Sequence, residues 1–131
     1  MPSTWRPSGV VTLITDFGVS DAYVGIMHGV LLSRARDLAV VDLTHGIAPQ
    51  DVRAAAFHLA QAWRWFPPGT VHVAVVDPGV GSSRRILVAR AGEHAFLAPD
   101  NGLLGPALAP ATPAAPEVDV RALDAARFEL P

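Results

Sequence analysis

An α/β fold with a mainly parallel central sheet, helices on its faces and a hairpin at one edge is predicted from three features. Short β-branched runs alternate with longer amphipathic segments, in the order strand–helix–strand–helix–strand. The first three strand-like runs are continuously apolar, as in strands covered on both faces. The linkers between them leave room for right-handed crossovers. The 131 residues suit one domain. Residues 1–8 read as an irregular leader and 9–131 as the domain.

The first strand is Gly9-Val10-Val11-Thr12-Leu13-Ile14-Thr15, closed by the turn Asp16-Phe17-Gly18. A helix over 21–35 follows. Ser20 is its expected N-cap, and Asp21 would meet the positive end of the dipole. Tyr23, Ile26, Met27, Val30 and Leu31 recur along one face of it. Residues 38–43 form the second strand, and a second, Ala-rich helix covers 51–65. Phe66-Pro67-Pro68-Gly69 stops that helix, because proline cannot continue it and glycine supplies a turn. Trp63, Trp65 and Phe66 are expected as core and interface contacts. The third strand, 70–76, is followed by two more at 85–90 and 94–98, joined as a hairpin. Asn101 to Leu104 reads as a short helix or turn, and the Ala- and Pro-rich stretch 105–116 as a loop or spacer. Glu117-Val118-Asp119-Val120-Arg121 alternates like a half-exposed strand.

Composition narrows the chemistry. With no Cys, the chain has no thiolate nucleophile, disulfide or Cys-based metal site. A net charge of −2 argues against sequence-independent nucleic-acid binding, which needs a basic face. No apolar run is long enough to span a membrane, and the first residues lack the apolar core of a signal peptide. A cytoplasmic domain is expected.

Three strands end in an acid: Asp16, Asp42 and Asp77. In an open α/β sheet, ligands bind beyond the carboxyl ends of the strands. Carboxylates there can accept hydrogen bonds from a ribose diol, hold a cation or position water; the bland alternative is that they cap turns. Asp77-Pro78-Gly79-Val80-Gly81-Ser82-Ser83-Arg84-Arg85 is the most informative segment. It makes a tight loop and returns an arginine toward the acid, which would favour the charged carboxylate. It lacks the Gly-Lys-Ser/Thr of a phosphate-binding loop. The histidines show no metal spacing. His45 sits near the expected ligand edge, but each His is expected to be structural. Asn101 could read a polar ligand or satisfy its own turn.

Taken together, Thr15-Asp16-Phe17-Gly18, Asp21-Ala22-Tyr23-Val24-Gly25, Asp42-Leu43-Thr44-His45, Asp51-Val52-Arg53, Phe66-Pro67-Pro68-Gly69-Thr70, Val75-Val76-Asp77-Pro78-Gly79-Val80-Gly81 and Ala98-Pro99-Asp100-Asn101-Gly102-Leu103-Leu104 resemble one family over residues 9–104. It is the N-terminal domain of the S-adenosyl-L-methionine (SAM) hydroxide adenosyltransferases, or SAM hydrolases, relatives of the fluorinating and chlorinating enzymes. The resemblance implies attack of water or hydroxide on the ribose C5′, giving adenosine and methionine. It implies SAM as substrate, no cofactor and no metal. Asp77 and Arg84 match catalytic members of an Asp–Arg–His set that orients the water. Asp16 matches the acid that binds the ribose hydroxyls, Asp21 a position near the methionine end, and Asn101 a residue lining the site. The family's His lies in a segment beyond the equivalent of Arg127-Phe128-Glu129-Leu130-Pro131, and much of its adenine site lies in a C-terminal β domain. The family forms homotrimers with sites shared between subunits. This chain is therefore expected to be inactive alone. Two other readings compete: a non-catalytic nucleoside-binding or oligomerisation module, and a Mg²⁺-dependent phosphohydrolase using Asp16, Asp42 and Asp77.

Overall fold

The computed structural model describes residues 5–79, 81–109 and 118–124. The apolar runs form six strands: β1 (Val10–Thr15), β2 (Ala39–Thr44), β3 (Val71–Val75), β4 (Ile86–Ala91), β5 (His94–Pro99) and β6 (Val118–Ala122). Helices α1 (Tyr23–Arg34) and α2 (Val52–Ala62) follow β1 and β2; α2 continues into a 3-10 turn at Trp63–Trp65, and α3 (Gly105–Leu108) follows β5. The sheet order is β2-β1-β3-β5-β4-β6. The pairs β2–β1, β1–β3 and β3–β5 are parallel, whereas β4 runs antiparallel to both β5 and β6. The expected parallel sheet with a hairpin is thus observed, and β6 forms the edge outside that hairpin.

β1 sits between two parallel neighbours and is buried from Val11 to Thr15. The core gathers Ile14, Leu59, Ala74, Val76, Phe96 and Leu103, all at most 1% exposed. α2 contributes Ala55, Ala56 and Leu59 to it. The small alanines allow this helix to approach the sheet closely, and Asp51 caps it by accepting from the Ala54 N–H (3.0 Å).

Some local expectations change. Ser20 does not cap α1. Asp21 instead accepts the Tyr23 N–H at 2.9 Å, so the helix begins two residues later than expected. The 105–116 stretch opens with α3, because Pro106 lies in the first helical turn, where its missing N–H costs nothing. The rest of that spacer, residues 110–116, lies outside the described residues, as do Glu117, Val80, residues 1–4 and residues 125–131, which include the Arg127–Pro131 segment. α1 has no buried residue: Tyr23 is 57% and Ile26 60% exposed. Its apolar face therefore covers little of this domain. Trp63 packs against the core and Phe66 is half-buried, but Trp65 lies in solvent.

The leader is not wholly loose. Ser8 N–H donates to the Gly69 carbonyl (3.0 Å), and Trp5 Nε1 donates to the Glu93 carbonyl (2.9 Å). Gly69 has φ +87°, and a Cβ there would lie 2.5 Å from the Arg6 carbonyl oxygen and 2.7 Å from the Ser8 nitrogen. Gly69→Ala combines left-handed strain with a backbone clash, so an expected loss of about 3 kcal/mol follows. The urea midpoint measures it; a change below about 0.5 kcal/mol would show that residues 6–8 move aside freely.

Candidate active site

The loop after β3 is built around one ion pair. Arg84 Nε donates to Asp77 Oδ2 at 2.6 Å, and Nη2 donates to the same oxygen. The Asp77 side chain is only 4% exposed, and Arg84 is partly buried beside it. Asp77 Oδ1 accepts the Gly79 N–H (3.1 Å). The carboxylate is thus fixed from both sides. The hydrogen bond to Asp77 raises the Arg84 guanidinium above its ordinary value, against the effect of burial. The return of the loop is tight: Ser82 N–H donates to the Gly79 carbonyl (2.9 Å), and a Cβ on Gly79 would lie 3.2 Å from Arg84 Cγ. Glycine at this position therefore lets arginine close on the acid.

Asp16 lies at the neighbouring strand end. β1 and β3 are in register with Thr15 opposite Val75, which places Asp16 and Asp77 on the same carboxyl edge. Asp16 is half-buried, and its Oδ2 accepts the Gln50 N–H at 2.7 Å. Gln50 reaches that position with φ 64°, a strained conformation for a non-glycine residue. Asp21 is exposed at the start of α1. Asn101 donates from Nδ2 to the Val76 carbonyl (3.0 Å) and accepts the Leu103 N–H (3.1 Å). Its amide therefore ties the end of β3 to the turn before α3. It also borders a groove of about 840 Å³ beside α2, lined by Arg53, Phe57, Arg64 and Trp65.

Asp42 does not join Asp16 and Asp77 as a free acid. It accepts from His45 Nε2 (2.8 Å) and His28 Nε2 (3.0 Å). Burial alone would push its carboxyl up, but these hydrogen bonds and the nearby imidazoles hold it below its usual value. His45 Nδ1 in turn lies 2.7 Å from Thr15 Oγ1. The sequence reading missed this cluster. Its available signal was the i, i+3 spacing of Asp42 and His45 at a strand end. Among the described residues, no three His, Asp or Glu side chains are arranged to hold a metal. The phosphohydrolase reading thus loses Asp42 to the two imidazoles.

A second histidine pair is buried farther down the sheet. His72 Nδ1 lies 2.8 Å from Thr12 Oγ1, and His72 Nε2 lies 3.1 Å from His94 Nδ1. The rings stack at 5.3 Å among Trp63, Phe66 and Phe96. Burial, followed by the neighbouring His94, pushes the His72 imidazole down to about 3. Burial also pushes His94 down, partly offset by Glu93.

A mainly parallel α/β sheet with an Arg-locked Asp beyond β3, and a second acid beyond β1, is the class of site defined by these residues. The family model for the SAM hydroxide adenosyltransferase N-terminal domain matches residues 11–129, and the chain belongs to that family. It is 50% identical over 93 residues to the (R)-S-adenosyl-L-methionine hydrolase of Thermus thermophilus, covering 71% of this chain and 36% of that protein. A fluorinase from an Actinoplanes species is 27% identical over 127 residues, covering 79% of this chain and 42% of the fluorinase. Among solved structures, an uncharacterized conserved protein from Thermotoga maritima superposes with a TM-score of 0.70 at 39% identity, over 72% of this chain and 36% of that one. The chain thus spans little more than a third of the length of the hydrolase it matches. No helix among the described residues is long and apolar enough to cross a membrane.

Proposed function

We propose that residues 9–131 form the N-terminal domain of an enzyme that hydrolyses SAM to adenosine and L-methionine. The observation that carries this reading is the buried Asp77 carboxylate locked to Arg84 on the same sheet edge as Asp16. Family membership and the relatives named as hydrolases support it. In this reading a water oxygen attacks C5′ in line with the C–S bond. The C–S electron pair leaves with sulfur as the neutral thioether of methionine, and the water's proton passes to solvent. A sulfonium is already a good leaving group, so no acid, metal or cofactor is required at that end. What remains is alignment of the nucleophile. Arg84 stays protonated and cannot act as a base. Asp77 and Arg84 are therefore the catalytic pair that positions the water. Asp16 holds the ribose hydroxyls, Asp21 lies toward the methionine end, and Asn101 lines the site. The work is cytoplasmic, and the working assembly is a homotrimer with sites shared between subunits. The exposed apolar residues Tyr23, Ile26 and Val30 on α1 favour assembly, since monomers seldom leave such a face open.

The test is product analysis with SAM in the presence of a chelator. Adenosine and methionine in equal amounts are expected from a protein in which this domain is joined to the remaining length that its relatives carry. The 131-residue chain alone should turn over at least about a hundredfold more slowly, since one general acid–base or positioning group supplies that much. Comparable rates for the two would refute the shared-site reading. Metal-dependent phosphate release from a phosphate ester would replace it with the phosphohydrolase reading.

A further inference from the structure

We propose that His45, braced by Asp42, is a positioning residue that holds the Asp16 turn in its ligand-ready shape. This rests on the reading of Asp16 as the group that holds a vicinal diol. The cluster reaches the turn by two routes. Gly18 N–H donates to the His45 carbonyl at 2.8 Å. Phe17 N–H donates to Thr15 Oγ1 at 3.1 Å, and that oxygen lies 2.7 Å from His45 Nδ1. Thr15 is thus tied to the His45 imidazole, Phe17 to it through Thr15, and Gly18 to the His45 backbone carbonyl, and Asp16 sits among them.

The hydrogen-bond chain fixes its own polarity. A carboxylate only accepts, so His45 Nε2, 2.8 Å from Asp42 Oδ1, carries the hydrogen. In the neutral ring Nδ1 is then the acceptor, and the Thr15 hydroxyl must donate to it. That leaves the Thr15 oxygen free to accept from Phe17. Every group in the chain is satisfied in this one arrangement, and His28 on α1 holds the far side of Asp42. The order Asp–His–Thr superficially matches a nucleophilic triad. Thr15 is 0% exposed, however, and its hydroxyl is already spent within the cluster, so it has no route to a substrate. The cluster acts through the turn. Its consequence is that a ligand pays less to order Asp16 at the moment of binding.

The test is an NMR titration of the 131-residue chain with two probes, adenosine and 2′,3′-dideoxyadenosine, which differ only in the diol. The unaltered chain should prefer adenosine, and Asp16→Asn should remove the preference. Thr15→Val should shrink the preference by roughly fivefold, because it breaks the side-chain link between His45 and the turn and leaves only the backbone one. Thr15→Ser, which keeps the hydroxyl, should restore it. Equal weakening of both nucleosides by Thr15→Val would mark a merely structural role and overturn the proposal. So would an unchanged preference in Thr15→Val when Asp16→Asn abolishes it, and then the Asp16 reading survives. A chain with no diol preference, or an Asp16→Asn variant that keeps one, would overturn both readings. Side-chain ¹⁵N shifts of His45 in the unaltered chain are an independent check should Thr15→Val fail to fold. The Nε2–H tautomer is expected, and the Nδ1–H tautomer would sink the proposal.

Discussion

Asp77→Ala, in this domain joined to the remaining length of its relatives, is expected to lower kcat for SAM hydrolysis by about 10²–10³ while KM stays within about threefold. The asymmetry follows from the geometry. Asp77 is 4% exposed, with Arg84 on one oxygen and the Gly79 N–H on the other, so it has little surface with which to grip a substrate in the ground state. In the proposed reading it holds a charged, directional array beside the attacking water. Such an array acts on the transition state and adds little to ground-state binding. Alanine removes the acceptor for three donors, two on Arg84 and one on Gly79, and frees Arg84 from the acid. Asp77→Asn keeps an oxygen for the Gly79 N–H but loses the ion pair, so it should fall between alanine and the parent. Steady-state kinetics with isothermal SAM titration separate the two parameters. A variant that loses affinity yet keeps its rate would assign Asp77 to binding.

The legible part of this protein was its local physics. The continuous apolar run of β1 marks a strand covered on both faces, whereas β3 is fully buried only at alternate positions and the edge strand β2 is largely exposed; Asp51 and the Pro67-Pro68-Gly69 stop bracket α2 because caps and breakers act over a few residues. The loop of Asp77 and Arg84 was legible for the same reason, since only seven residues separate the pair. Misreadings arose where the partner is distant. Tyr23, Ile26 and Val30 have the spacing of a buried face, but periodicity does not say whether the covering surface belongs to the same chain. Thr15 meets His45 across 30 residues, and Thr12 meets His72 across 60, through strand neighbours that only the sheet order defines. Each histidine was correctly expected to be structural in the His72–His94 pair. His45 was not recognised as part of a cluster, because Thr15 reaches it from β1 and His28 reaches their shared Asp42 from α1.

The His72–His94 pair sets the second large expectation, a steep loss of stability on acidification. Neutral His72 has one donor and one acceptor nitrogen, matched by Thr12 on one side and His94 on the other. Another proton would bring charge into a wall of Trp63, Phe66 and Phe96. Arg64, stacked over Trp63, adds no counter-charge, and Glu93 acts on His94 rather than His72. The ordinary value of an imidazole, 6.5, holds for His72 in the unfolded chain, whereas burial and then His94 push it down to about 3 in the folded chain. Between those values the unfolded state holds the extra proton. Stability therefore rises with pH across the window, and is lost as pH falls from the upper value toward the lower. One such proton gives a slope of about 1.4 kcal/mol per pH unit. The lowered His94 pushes in the same direction, and so does Asp42, whose hydrogen-bonded carboxylate must be protonated in acid. His72→Val should lower stability at neutral pH by about 1–3 kcal/mol, because it strands Thr12 Oγ1 and a nitrogen of His94. It should nevertheless flatten the slope between about pH 4 and pH 6 by close to one proton's worth. Urea midpoints across that range, for both proteins, measure the difference. Parallel slopes would mean that His72 takes up its proton within the folded state, and that the ring pair is more open to water than its packing indicates.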